Sequence, residues 1–134
     1  MARLLVIDDD KQIRELLHLV LSRDGHEVRE AIDGERGIAA FAEQAADLVI
    51  IDLFMPTCGG WETIRALQQL APGLPFMIIT GGGALEVLSN GAPGTLNSVR
   101  HLAAFRVLRK PFKLAALSAA VDELLHSSGP QLLT

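Results

Sequence analysis

The sequence predicts an α/β domain: a doubly wound, five-stranded parallel sheet with helices on both faces. Three observations predict it. Five short apolar runs alternate with segments of helical periodicity along the 134 residues. Most of these runs are continuous rather than alternating, as strands buried on both faces require. Four of the five close on a polar or charged residue, and in open parallel sheets ligands bind beyond the carboxyl ends of the strands.

The first run, residues 4–7, is closed by Asp8, Asp9 and Asp10. Ile13, Leu16, Leu17, Val20 and Leu21 then mark one face of a helix, with Asp10 as its N-cap and Gly25 at its end. Residues 26–31 alternate like an edge strand, and residues 34–45 carry Ile38, Phe41 and Ala42 as a second helix. Residues 48–51 form the next buried strand, closed by Asp52 and followed by a loop through Gly60. Trp61, Ile64, Leu67 and Leu70 mark a third helix, stopped by Pro72 and Gly73. Residues 76–79 form a strand closed by Thr80, and Gly81-Gly82-Gly83 opens a loop-like segment to Gly94. Leu96, Val99, Leu102 and Ala103 predict a short fourth helix. Phe105, Val107 and Leu108 form the last strand, closed by Lys110 and Pro111, and Leu114 to Leu125 a final helix. One domain over residues 1–126 and a tail over 127–134 are expected.

Composition narrows the function classes. With 49% hydrophobic and 21% charged residues the chain is globular rather than disordered. No apolar run reaches the length of a membrane helix, and the first is too short for a signal peptide. The single cysteine, Cys58, cannot form an internal disulfide, so a reducing, cytoplasmic location is expected. Twelve basic residues against sixteen acidic ones, with no basic stripe and 4% aromatics, argue against a nucleic-acid partner. His18, His26, His101 and His126 lack metal-ligand spacing, and the glycine triplet matches neither phosphate-loop pattern.

The strand ends carry the chemistry. Asp8, Asp9, Asp52, Thr80 and Lys110 belong to one edge of such a sheet. Three carboxylates in one crevice repel one another. A divalent cation removes that penalty, and Mg²⁺ suits an all-oxygen site. One carboxylate could then attack phosphorus, with Lys110 offsetting charge and Thr80 donating a hydrogen bond. Asp52, alone on a central strand, is the preferred nucleophile.

At this point the segments Leu5-Val6-Ile7-Asp8-Asp9-Asp10, Ile51-Asp52-Leu53-Phe54-Met55-Pro56, Ile79-Thr80-Gly81 and Lys110-Pro111-Phe112 become specific together. In this order the chain resembles the receiver domain of bacterial two-component response regulators, from Arg3 to about His126. The resemblance implies strand order 2-1-3-4-5 with five flanking helices. It implies that Asp52 accepts phosphate from a histidine kinase or histidine phosphotransfer protein. Mg²⁺ would be held by Asp9 directly, Asp8 largely through water, Asp52, and the Phe54 backbone carbonyl. Thr80, the Gly81 beside it and Lys110 would contact the phosphoryl group, and Lys110–Pro111 would be cis. A downstream protein partner is implied, acting with no output domain in this chain.

Three departures stand out. Val107 occupies the position, three before Lys110, where the family usually places the Tyr or Phe that swings inward with the threonine. The stretch from Thr80 to Lys110 is longer than usual, and Gly81 replaces the preferred alanine. Rearrangement of the loop after Gly81 and of the fourth helix is therefore expected to carry the signal. Phe54 and Gly82, positions that tune phosphoryl lifetime in the family, offer no side chain to orient water, which implies slow self-dephosphorylation. Two other readings compete. In a haloacid-dehalogenase-type Mg²⁺ phosphatase Asp8 would be the nucleophile, but Gln12 stands where that class has Thr or Val. The other is a receiver that docks without being phosphorylated, against which the intact acidic pair, Asp52, Thr80 and Lys110 argue.

Overall fold

The computed structural model describes residues 1–53, 59–81 and 102–126. A parallel sheet runs through them in the order β2-β1-β3-β4-β5. The strands are β1 (Arg3–Ile7), β2 (Glu27–Ala31), β3 (Leu48–Asp52), β4 (Phe76–Thr80) and β5 (Phe105–Arg109). Four helices lie among the described residues: α1 (Lys11–Arg23), α2 (Gly34–Glu43), α3 (Gly60–Leu70) and the C-terminal α4 (Leu114–His126). Leu102 and Ala103 lead into β5 without helical structure, and the rest of the expected helix before β5 lies outside the described residues. The expected tail over 127–134 lies outside them too.

Strand alternation divides the core in two. Leu5, Ile7, Val49, Ile51, Phe76 and Ile78 point to one face, where Phe41 of α2 and Ile64 and Leu67 of α3 cover them. Leu4, Val6, Leu48, Ile50, Met77 and Ile79 point to the other, under Leu17 and Leu21 of α1 and Leu117, Val121 and Leu124 of α4. Every residue of the central strands β3 and β4 is buried, which explains their unbroken apolar runs.

The helix ends follow from local chemistry. Asp10 caps α1, its Oδ1 accepting from the Gln12 N–H at 2.9 Å. Asp33 caps α2 by accepting from the Arg36 N–H at 2.8 Å. Gly25, at φ 94°, supplies the left-handed turn after α1. The second helix ends at Glu43, short of the expected residue 45. Gln44 turns extended, and the Arg29 guanidinium on β2 takes up the carbonyls of Gln44 and Ala40. A tertiary contact thus terminates a helix whose own sequence permits two more residues.

Gly60 places α3 against the end of β3. Its N–H donates to the Leu53 carbonyl at 3.2 Å. A Cβ there would stand 2.6 Å from Leu53 Cα and 2.9 Å from the Asp52 carbonyl oxygen. These are backbone atoms, which cannot give way as a side-chain tip would. Gly60→Ala should therefore destabilise the fold by about 2 kcal/mol or more, measured by urea denaturation. Parent-like stability would show that β3 and α3 can separate at no cost.

Candidate functional site

Parallel register decides which strand-end residues meet. Ile7 pairs with Ile51, so Asp8 and Asp52 follow at one level on adjacent strands. Asp52 pairs with Ile79, one residue before Thr80, and Thr80 pairs with Arg109, one residue before Lys110. Backbone bonds continue past the strand ends: Asp8 N–H to the Ala31 carbonyl, Leu53 N–H to Ile79, and Lys110 N–H to Thr80 at 2.8 Å. The site therefore stands on the sheet itself.

Asp8, Asp9 and Asp52 each offer a carboxylate oxygen within 4.8 Å of the other two. Asp8 is 1% exposed and Asp52 6%, whereas Asp9 is open to solvent. Lys110 reaches across from the end of β5, its Nζ 3.3 Å from Asp52 Oδ2 and 4.0 Å from Asp8 Oδ2. The Lys110–Pro111 peptide is cis. Asp8 Oδ1 accepts from the Asp10 N–H at 2.9 Å. The oxygens Asp8 Oδ2 and Thr80 Oγ1 are buried without a hydrogen-bond partner among the described residues. Buried polar atoms are usually satisfied, so these two depart from the rule at the strand-end cluster.

Burial pushes the Asp8 carboxyl up to about 6. The Asp10 N–H opposes that shift, the charge on Asp52 adds to it, Lys110 opposes it, and Asp9 adds a smaller rise. The donor set fits a hard divalent cation: three carboxylates, one buried oxygen without a hydrogen-bond partner among the described residues, and no sulfur or imidazole among the clustered ligands. Asp8, Asp9 and Asp52 would hold it.

The predicted site residues Asp8, Asp9, Asp52, Thr80 and Lys110 all lie at this one edge. Phe54 lies outside the described residues, as do Gly82, Cys58 and His101. Gly81 directly follows β4, and no described atom lies within 4 Å of where its Cβ would be. Val107 is half-buried, pairs with Ile78 and packs on the α2–α3 side of the core. Phe105 is buried opposite Phe76 at the far end of β5, so it does not stand in for a mobile aromatic at the site. Sequence reading passed over two features, Gly60 and the Arg14–Glu30 ion pair at 3.3 Å. Arg14 was legible in principle, because it falls one turn into the helix that starts beside the acidic pair.

The sequence profile of the response regulator receiver domain matches residues 4–122. The chain is 33% identical over 129 residues to the transcriptional regulatory protein GlrR of Escherichia coli, covering 96% of this chain and 27% of that protein. It is 34% identical over 128 residues to response regulator MprA of a Mycobacterium species, covering 96% and 52%. A receiver domain protein from Clostridium thermocellum superposes with TM-score 0.79 at 30% identity, covering 93% of this chain and 94% of that one. The chemotaxis protein CheY4 of Vibrio cholerae superposes with TM-score 0.79 at 26% identity, covering 93% and 99%. The chain belongs to the response regulator receiver domain family. It spans between about a quarter and a half of the length of these curated relatives. No helix among the described residues is long and apolar enough to cross a membrane.

Asp8 makes the site's electrostatics measurable. Its folded-state pKa of about 6 exceeds the ordinary 3.8, so the folded protein binds that proton more tightly than the unfolded chain. Stability from this group is full below pH 4 and is lost as pH rises through about 6. Without divalent cations Asp8→Asn should be more stable than the parent at pH 7.5, by about 1–3 kcal/mol. The gap should close toward pH 4 in urea melts. A variant less stable than the parent at pH 7.5 would contradict this account.

Proposed function

We propose that Asp52 is the phosphoacceptor of this receiver domain. The observation that carries the reading is the pairing of buried Asp52 with Lys110 at 3.3 Å, beside the unsatisfied oxygens of Asp8 and Thr80. A carboxylate oxygen of Asp52 attacks the phosphorus of a phosphohistidine. The P–N bond breaks, the imidazole leaves, and an acyl phosphate forms on Asp52. Lys110 neutralises charge on the phosphoryl oxygens, and the Thr80 hydroxyl donates to one of them. Bound Mg²⁺ would supply charge neutralisation on the phosphoryl oxygens. Asp8, Asp9 and Asp52 would hold it; the Phe54 carbonyl, the further ligand that the family pattern implies, lies outside the described residues.

In this reading the domain turns over no metabolite and catalyses only its own phosphorylation and dephosphorylation. The donor is a histidine kinase or histidine phosphotransfer protein, and the output is a changed surface for a partner protein. With Val107 where the family has an aromatic, the proposed route is the segment after Gly81, of which residues 82–101 lie outside the described residues. The cytoplasm is the proposed location. The expectation of no nucleic-acid partner rests on the net charge of −4 and applies to these residues alone. One relative is named a transcriptional regulatory protein, and this chain covers 27% of it.

In the phosphatase reading the nucleophile would be Asp8, which is 1% exposed and lies farther from Lys110, at 4.0 Å, than Asp52 does at 3.3 Å. Intact mass after incubation with acetyl phosphate and Mg²⁺ tests the assignment. One phosphoryl group should add to the parent, require Mg²⁺, be absent from Asp52→Asn, and persist for minutes after the donor is removed. An adduct retained in Asp52→Asn, or lost within seconds from the parent, would overturn the corresponding part. Should acetyl phosphate fail, a phosphorylated histidine phosphotransfer protein replaces it, and failure of both donors would favour the docking reading.

A further inference from the structure

Arg14 contacts the acidic site from behind. It lies one turn into α1, and its side chain is 12% exposed. Nη1 donates to the Asp8 carbonyl oxygen at 2.7 Å. Nε lies 3.3 Å from Oε1 of Glu30 on the edge strand β2. The other oxygen of Glu30 lies 2.7 Å from Nδ1 of His18, one turn further along α1. One guanidinium thus ties the end of β1 to β2 and to α1.

The carbonyl it holds belongs to the peptide joining Asp8 to Asp9. The plane of that peptide sets the direction from which the Asp9 side chain departs. It is fixed at neighbouring points too, because the Asp8 N–H bonds to Ala31 and Asp8 Oδ1 accepts from the Asp10 N–H. Asp9 itself is exposed, so packing does not restrain its carboxylate. A charge-assisted bond to the peptide before it is the restraint nearest at hand.

Arg29 offers the control. From β2 it likewise donates to backbone carbonyls, but to those of Ala40 and Gln44 at the end of α2. Its chemistry matches that of Arg14, and its target is structural.

We infer that Arg14, braced by Glu30, is a positioning residue for the divalent cation: it holds the Asp8–Asp9 peptide so that both carboxylates are preorganised to bind the ion. The inference rests on the reading that Asp8, Asp9 and Asp52 take Mg²⁺. Partners that orient metal ligands are typically worth about 10–100-fold in metal affinity.

The test is calorimetric titration of the whole chain with Mg²⁺, beside thermal melts of the metal-free proteins. Arg14→Gln should bind Mg²⁺ about tenfold more weakly or worse. Arg14→Lys, which keeps a donor but not the reach to Glu30, should fall between it and the parent. Glu30→Gln should show a smaller loss. Arg29→Gln should melt lower yet bind Mg²⁺ as the parent does. At saturating Mg²⁺ the phosphorylation rate of Arg14→Gln should return to the parental value, so the change lies in half-saturation and not in maximal rate. Affinity of Arg14→Gln within about twofold of the parent would overturn the inference, as would equal weakening by Arg29→Gln. If Arg14→Gln does not fold, parental affinity in both Arg14→Lys and Glu30→Gln overturns it. A parent that binds no Mg²⁺ would instead remove the cation reading itself, a separate and recognisable result.

Discussion

Three carboxylates share one edge of a parallel sheet, and two of them are buried there. All strands of a parallel sheet end on the same side, so residues that close them cannot avoid one another. The register of β1 on β3 sets Asp8 beside Asp52, and the register of β3 on β4 and β5 brings up Thr80 and Lys110. Folding therefore forces like charges together out of water, with Lys110 only partly compensating. The raised Asp8 pKa expresses that conflict in a single group. What offsets it is the sheet's apolar core on both faces, in which every residue of β3 and β4 is buried.

The contrast with other acidic residues is informative. Asp10 and Asp33 sit at helix starts with their oxygens accepting backbone N–H bonds. Asp47 likewise accepts from the Arg3 N–H at 2.8 Å. These groups obey the usual rule that local preference and tertiary structure agree. At the strand-end site the rule is broken twice among the described residues, at Asp8 Oδ2 and Thr80 Oγ1. Such departures are expected where a protein handles a ligand, because the missing partners arrive with it. A cation and a phosphoryl group together would satisfy both oxygens, which is why the proposed chemistry and the observed conflict coincide.

The departures from the family pattern concentrate around β4 and β5. Val107 packs on the core at the position where an aromatic would move, and the aromatic of this strand, Phe105, is committed opposite Phe76 at the other end. β5 therefore has no aromatic free to report the state of Thr80 among the described residues. Gly81 lacks the Cβ that narrows the φ range of other residues, and no described atom lies within 4 Å of that position. The proposed route of the signal follows from this combination.

Fold class was legible in the linear sequence, and so was the set of residues that the fold brings to one sheet edge. Unbroken apolar runs such as residues 48–51 announce strands buried on two faces, and periodic ones such as those of α1 announce helices, because each pattern reflects a repeat of the local backbone. Strand-closing residues then named the site, since topology sends them all to one edge. Tertiary structure alone decided the rest. The end of α2 depended on Arg29 of another element, the need for glycine at 60 on the approach of β3, and the hold of Arg14 on Asp8 on the meeting of α1 with β1 and β2. These are contacts between segments distant along the chain, and no local periodicity encodes them. The sequence by itself determined which groups the candidate site contains; only packing determined how near they stand, which oxygens lack partners among the described residues, and what braces them.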